Sequence, residues 1–320
     1  MNNIVYTGTA PDKEIFQVFN ETMSRLIEQD RDVVYIDADL MSSMRSKDLW
    51  NKYPDNVINT GIQEANMIGV AAGMYLYGKK PFVHSFAPFA TRRCFDQIYE
   101  SIGYARKGIR IIGSEPGICA TDNGGTHMTF EDIAMIRTIP GSIIFDISDG
   151  TMLEKAMHLT KDMDGVIYIR TPRRGLPDIY PSDETFEPGV GKKLHEGNIC
   201  TVVAAGIMVS TAIEAARMLD DKGIGVELID PVTIKPLDEE LIITSAKKTG
   251  RVVTIENHSI YGGLGGAVSE LLSERYPVKV KRIGTVSFGQ VGNEAFLREQ
   301  YHLNVKDIVN TITEFCGGAE

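Results

Sequence analysis

Thr60-Gly61-Ile62-Gln63-Glu64-Ala65-Asn66-Met67-Ile68-Gly69-Val70-Ala71-Ala72-Gly73-Met74 follows an apolar, strand-like run and is rich in small residues that let a helix pack closely against a neighbour. Glu64 is the only charged residue between Asp55 and Lys79. The spacing predicts a helix whose first turn carries a single acid into apolar surroundings. Loss of water there would raise a carboxyl pKa and equip the group to hold a proton near neutrality. The same placement also suits an ordinary first-turn carboxylate favoured by the helix dipole.

The bulk numbers set the frame for that helix. A chain of 320 residues with 43% hydrophobic content can bury a substantial core, and its length implies two domains. The formal charge of -10 argues against a nucleic-acid surface, while leaving room for a local basic pocket. Cys94, Cys119, Cys200 and Cys316 are scattered, with no pair spaced as a metal knuckle or redox motif, so reduced thiols are expected. No apolar run approaches the roughly 20 residues a membrane span needs. Met1-Asn2-Asn3 begins without a basic and then apolar signal region, and a cytoplasmic location is the expectation.

Outward from the helix, apolar runs alternate with helical periodicity. Residues 10–30 place Ile15, Phe16, Phe19, Met23, Leu26 and Ile27 on one helical face, with Lys13 near the start. Residues 33–40 read as a buried strand, and Asp39 and Ser43 lie just beyond its main run. Residues 80–86 form a second strand, followed by Phe86, Phe89 and Arg92 at i, i+3 and i+6, which a helical turn would put on one side. Residues 109–114 form a third strand, and the loop after it holds Asp122-Asn123-Gly124-Gly125-Thr126-His127. Further strands at 143–147 and 165–172 flank a helix at 150–160, and Arg170 stands at the exit of the last strand.

A proline- and acid-containing stretch at 175–189 reads as a linker, after which strand and helix alternate again at 199–206, 211–222, 225–229, 237–248, 251–256 and 263–275. The fold class is therefore α/β: two consecutive domains, each with a mostly parallel sheet flanked by helices. The boundaries are set at 1–178 for the first domain, 179–192 for the linker and 193–320 for the second.

Five motifs in order carry a resemblance: GIQEANMIGVAAGM (61–74), HSFAPFATRRCFDQI (84–98), DNGGTHMTFEDIAMIR (122–137), DPVTIKPLD (230–238) and ENHSIYGGLGGAV (256–268). The first three resemble the pyrimidine-binding domain of thiamine diphosphate enzymes, closest to transketolase, and the last two resemble that family's C-terminal domain. The resemblance implies that Glu64 hydrogen-bonds the ring nitrogen of the cofactor's aminopyrimidine and exchanges a proton there. It implies that Phe89, with Phe86 and Arg92, forms the slot for the pyrimidine, and that Asp39 lies beside the cofactor. His127 would hydrogen-bond donor oxygens and stabilise developing charge. Ser43, Asn123 and Arg170 would meet the sugar, Arg170 at a terminal anion. Lys13 would stand where transketolases carry a phosphate-binding arginine, unless it is a solvated surface lysine.

Two residues depart from the family pattern. Asn123 replaces an aspartate that recognises a sugar hydroxyl, and Glu115 replaces a histidine that helps to bind phosphate; a carboxylate there repels a phosphate dianion unless it is protonated, turned away or paired. His258 before the glycine-rich turn 261–266 belongs, by resemblance, to helix packing and subunit contacts rather than to a phosphate loop.

The Gly-Asp-Gly motif with which the family holds the metal-bound diphosphate is not in this sequence. The resemblance therefore implies a split enzyme, in which this chain is the C-terminal subunit. A separate N-terminal transketolase subunit would hold the divalent metal, magnesium or calcium, in a heterotetramer of two plus two chains. The assembled enzyme would move a two-carbon ketol unit from a ketose, phosphorylated or otherwise anionic, to an aldose. A 2-oxo acid dehydrogenase beta subunit, a deoxyxylulose phosphate synthase-like enzyme and a non-catalytic partner subunit share the layout and remain alternatives.

Overall fold

The computed structural model describes residues 4–317; Met1-Asn2-Asn3, where a signal region would begin, lies outside them. Two sheets organise the chain. The first contains β1 (Val33–Asp37), β2 (Val57–Asn59), β3 (Lys80–Phe86), β4 (Ile109–Ser114), β5 (Ile143–Asp146) and β6 (Val166–Thr171). The second contains β7 (Lys192–His195), β8 (Cys200–Ala204), β9 (Val226–Asp230), β11 (Arg251–Ser259) and β12 (Lys279–Thr285). β10 (Thr233–Lys235) follows β9 in the chain but crosses back to pair antiparallel with β5, giving the first sheet the order β10-β5-β6-β4-β3-β1-β2.

The order in the second sheet is β12-β11-β8-β9-β7, with only the edge strand β7 antiparallel. Both sheets are thus mostly parallel, as expected, and their central strands are buried on both faces, which is why they read as unbroken apolar runs rather than alternating ones. The crossing strand was not foreseen: Thr233-Ile234-Lys235 is too short to show periodicity, and its place is set by tertiary pairing.

The opening helix runs over Ile15–Gln29, starting at the first residue of the apolar pattern rather than at residue 10, because Glu14 and Gln17 form a reciprocal capping box at its start. It buries Ile15, Phe19, Met23, Leu26 and Ile27, and packs with the helix Gly150–Thr160 on one face of the first sheet. The helix Glu64–Leu76 packs beside β3 and buries Glu64, Met67, Ile68, Ala71 and Ala72. No helix among the described residues is long and apolar enough to cross a membrane.

Candidate active site

In the first sheet β4, β3, β1 and β2 lie side by side and parallel, so the segments leaving their carboxyl ends converge on one edge. Asp39 leaves β1, Glu64 begins the helix after β2, Phe86 ends β3 and Glu115 follows β4. The fold thereby brings residues far apart in sequence to a common rim.

Glu64 is 2% exposed. Ser85 Oγ donates to its Oε1 at 2.8 Å, and Arg93 Nη1 donates to its Oε2 at 2.9 Å. The same guanidinium lies 3.8 Å from the centroid of the Phe89 ring. The acid is buried as the sequence suggested, but it is not alone: Arg93 covers both it and the aromatic face. Arg92, the residue expected in this slot, instead pairs with Glu131 at 2.6 Å on the surface. The cause is local, because the helical turn Ala87–Ala90 breaks at Thr91 (φ -122, ψ -77) and a 3-10 turn follows. That break invalidates the i, i+6 extrapolation and leaves Arg93, not Arg92, over Phe89.

Phe86, Phe89 and His127 form an aromatic wall. The His127 ring lies 5.2 Å from Phe89 and 6.1 Å from Phe86, both edge-on, and the two phenyl rings are 6.3 Å apart. His127 Nδ1 is 2.9 Å from Thr126 Oγ1, so Nε2 is the nitrogen left for a ligand. Asn123 is exposed at the end of the 3-10 segment before this loop. Asp39 is exposed at φ 65 and accepts from Asn59 Nδ2 at 3.0 Å.

A buried network stiffens the wall from behind. Asp37 Oδ2 accepts from Tyr35 OH at 2.6 Å and lies 2.7 Å from His84 Nδ1, and His84 Nε2 is 2.9 Å from Ser114 Oγ. All four side chains are buried, so β1, β3 and β4 are tied together one residue short of Ser85 and Glu115.

At the other end of the wall stands Arg173, which the sequence pattern does not single out. Its guanidinium carbon is 5.4 Å from the Phe86 ring centroid, its Nη1 donates to Ser43 O at 3.1 Å, and its Nε is 3.1 Å from Glu115 Oε1. Glu115 Oε1 also accepts the Arg173 main-chain N–H at 2.8 Å. Arg170, expected to reach the substrate, is 1% exposed and sealed between the sheets. Its Nε donates to Asp132 Oδ2 at 2.7 Å, its Nη1 lies 3.3 Å from Asp146, and its Nη2 donates to Asn257 O at 2.7 Å. A charge this deeply buried needs such partners, and their presence fixes it as a structural arginine. Lys13 lies ahead of the first helix on the surface and pairs with Glu21 at 2.6 Å.

The inter-sheet cluster has its own electrostatics. Burial pushes the Glu256 carboxyl up to about 7 despite hydrogen bonds from the Gly265 and Leu264 amides, and burial pushes His258 down to about 4. His258 lies 3.7 Å from both Asp132 and Glu256 and takes no part in the aromatic wall.

The donor set suits the pyrimidine end of thiamine diphosphate: a buried carboxyl, aromatic faces beside it, and one half-exposed arginine side chain that can move aside. Comparison with known proteins bears on this directly. Residues 13–178 match the family model "Transketolase, pyrimidine binding domain", and residues 189–308 match "Transketolase, C-terminal domain".

The chain belongs to the transketolase family.

It is 43% identical to the 6-deoxy-6-sulfo-D-fructose transketolase subunit SqwH of Clostridium sp. (strain MSTE9), over 90% of this chain and 89% of that one. It is 36% identical to a subunit of the apulose-4-phosphate transketolase of Phocaeicola vulgatus, over 93% and 96% of the two chains. Among solved structures, a split gene transketolase described as an inactive beta4 tetramer superposes with a TM-score of 0.85 at 36% identity, covering 94% of this chain and 97% of that one. By contrast, the chain spans 45% of the rat transketolase to which it is 35% identical. The resemblance and the fold class read from the sequence are thus borne out, and membership of this family implies thiamine diphosphate as cofactor.

Proposed function

We propose that this chain is the C-terminal subunit of a split, thiamine diphosphate-dependent transketolase. The observation that supports the reading is the pairing of a buried Glu64, reached by Ser85, with an aromatic wall that also carries His127. A separate N-terminal subunit supplies the divalent metal and the diphosphate site, in an assembly of two plus two chains in the cytoplasm. When bound, the cofactor supplies the electron sink that lets a two-carbon ketol unit leave a ketose and join an aldose.

The chain's own residues do the rest. Arg93 leaves Glu64 Oε2, which then holds or releases a proton, while Ser85 Oγ fixes the orientation of the carboxyl. Phe89 and Phe86 exclude water and orient a flat ring. His127 offers Nε2 to the oxygens of the donor, with Asn123 and Asp39 on the rim. Names of relatives leave the sugar open, since one is assigned a sulfonated ketose and another a phosphorylated one.

The test is reconstitution with the N-terminal subunit, thiamine diphosphate and magnesium or calcium, followed by assay of two-carbon transfer from a panel of ketoses. Transfer to an aldose supports the reading. Consumption of pyruvate without ketol transfer would place the chain with 2-oxo acid dehydrogenases or deoxyxylulose phosphate synthase instead.

A further inference from the structure

Beyond Phe86 the wall ends in a pair of opposite charges. Glu115 is 3% exposed, and its backbone sits at φ 56, a left-handed conformation that side-chain-bearing residues rarely adopt. Its amide donates to Thr171 O at 3.1 Å and its Oε1 accepts from the Arg173 amide at 2.8 Å, so the carboxylate is held from both sides of the chain and cannot swing away cheaply. Oε1 also lies 3.1 Å from Arg173 Nε, close enough for ion pairing though not aligned as a hydrogen bond.

Arg173 is therefore a partly spent cation. Its Nε edge faces Glu115 without an aligned hydrogen bond and its Nη1 is committed to Ser43 O, which leaves Nη2 and the Nε N–H without a hydrogen-bond acceptor among the described residues. A free arginine fork grips a dianion through two charge-assisted hydrogen bonds. Here one fixed negative charge already faces that fork, and the pair sums to zero. A phosphate monoester brings a charge of about -1.5 to -2 at pH 7 to a site that has no net positive charge to offer and a carboxylate that repels it. Other cations of these segments do not replace it: Lys13 is paired with Glu21, Arg45 lies over Phe16, and Arg174 lines a cavity in which Glu115, Glu214 and Glu294 outnumber it and Arg298.

We propose that Glu115 is a specificity-determining residue that, through its pairing with Arg173, makes this end of the site accept ketoses ending in a hydroxyl or a monoanion and disfavour a terminal phosphate dianion. The inference rests on the reading of the chain as a ketol-transferring subunit, and deepens it by naming the charge class of the donor.

The test compares three ketoses of one carbon skeleton, ending in hydroxyl, sulfonate and phosphate, with the reconstituted enzyme. The wild type is expected to favour the sulfonate or the hydroxyl over the phosphate by about tenfold or more in kcat/KM. Glu115→Gln keeps an oxygen for the Arg173 amide while removing the charge, and is expected to raise the phosphate-to-sulfonate ratio by about tenfold. A wild type that prefers the phosphate, or a ratio that Glu115→Gln leaves unmoved, overturns the proposal. If no ketose is turned over, the functional reading fails, and binding to the isolated chain still decides on Glu115. Methyl phosphate and methanesulfonate are then titrated while the arginine side chains are followed by NMR. Gain of methyl phosphate binding in Glu115→Gln supports the proposal, and equal binding by the wild type contradicts it.

Discussion

Arg93 donates to Glu64 at 2.9 Å while lying 3.8 Å above the ring of Phe89, so one side chain covers the buried acid and the aromatic face that would receive a ligand. The arrangement keeps a desolvated carboxylate paired, and a flat ring seated against Phe89 has to displace the guanidinium.

Removal of that cover is expected to be felt as stability. Arg93→Ala leaves a buried carboxylate with only Ser85 as partner, and because Arg93 is itself half-exposed the loss is discounted to about 1 kcal/mol. The double variant Arg93→Ala/Glu64→Gln should recover most of it, whereas Arg92→Ala, whose partner Glu131 is on the surface, should change little. Denaturant melts of the four proteins check this; equal losses from the two arginines would mean that the pairing with Glu64 contributes nothing.

Most of this site was legible because its parts are local. Glu64 opens a helix and Phe86 ends a strand that periodicity and small residues announce, Phe89 lies in the short turn after that strand and His127 in a glycine-containing loop, and these four lie on one rim. What failed were extrapolations through non-local geometry. A single non-helical residue, Thr91, exchanged Arg92 for Arg93. Two residues separate Arg170, buried between two carboxylates, from Arg173, which faces Phe86, and nothing in Arg-Thr-Pro-Arg-Arg says which guanidinium points where. A clue was available: a strand buried on both faces cannot hold an arginine without polar partners from elsewhere, and for Arg170 these are Asp132, Asp146 and the Asn257 carbonyl.

The C-terminal domain reaches into the site through Asn257. Its Oδ1 accepts from the Ile118 amide and its Nδ2 donates to Pro116 O, both at 3.0 Å, while a side chain at Gly117 (φ 53) would run into it. Asn257→Ala strands the Ile118 amide in the interior and leaves Pro116 O with the Cys119 amide alone, and is expected to cost about 1–3 kcal/mol. By loosening the loop that leads from Glu115 to His127 it should also lower kcat/KM by about tenfold or more. A variant that loses stability but turns over normally would show that the loop is positioned without this contact.

Stability should carry the signature of Glu256. Its folded pKa, about 7, lies above the ordinary value of 4.5, so between those pH values the unfolded chain releases the proton first and the native state falls in stability as pH rises. His258 works in the opposite direction: with a folded value near 4 against 6.5, it adds stability as pH rises through that interval. Glu256→Gln deletes the first effect alone. Relative to the wild type, its stability should improve by up to about 3 kcal/mol from pH 4.5 to 7, read as Tm or denaturant midpoint at each pH. Parallel pH profiles would rule out the titration of Glu256 across that interval.

The central claim concerns Glu64 and is tested most directly by Glu64→Gln in the reconstituted enzyme. The substitution preserves shape and the contact with Ser85 but cannot exchange a proton. Two-carbon transfer should fall by a factor on the order of 10² to 10⁴. The mass of the assembly in sedimentation should be unchanged. Turnover of Glu64→Gln near that of the wild type, in an intact assembly, would contradict the account and leave this chain a non-catalytic partner.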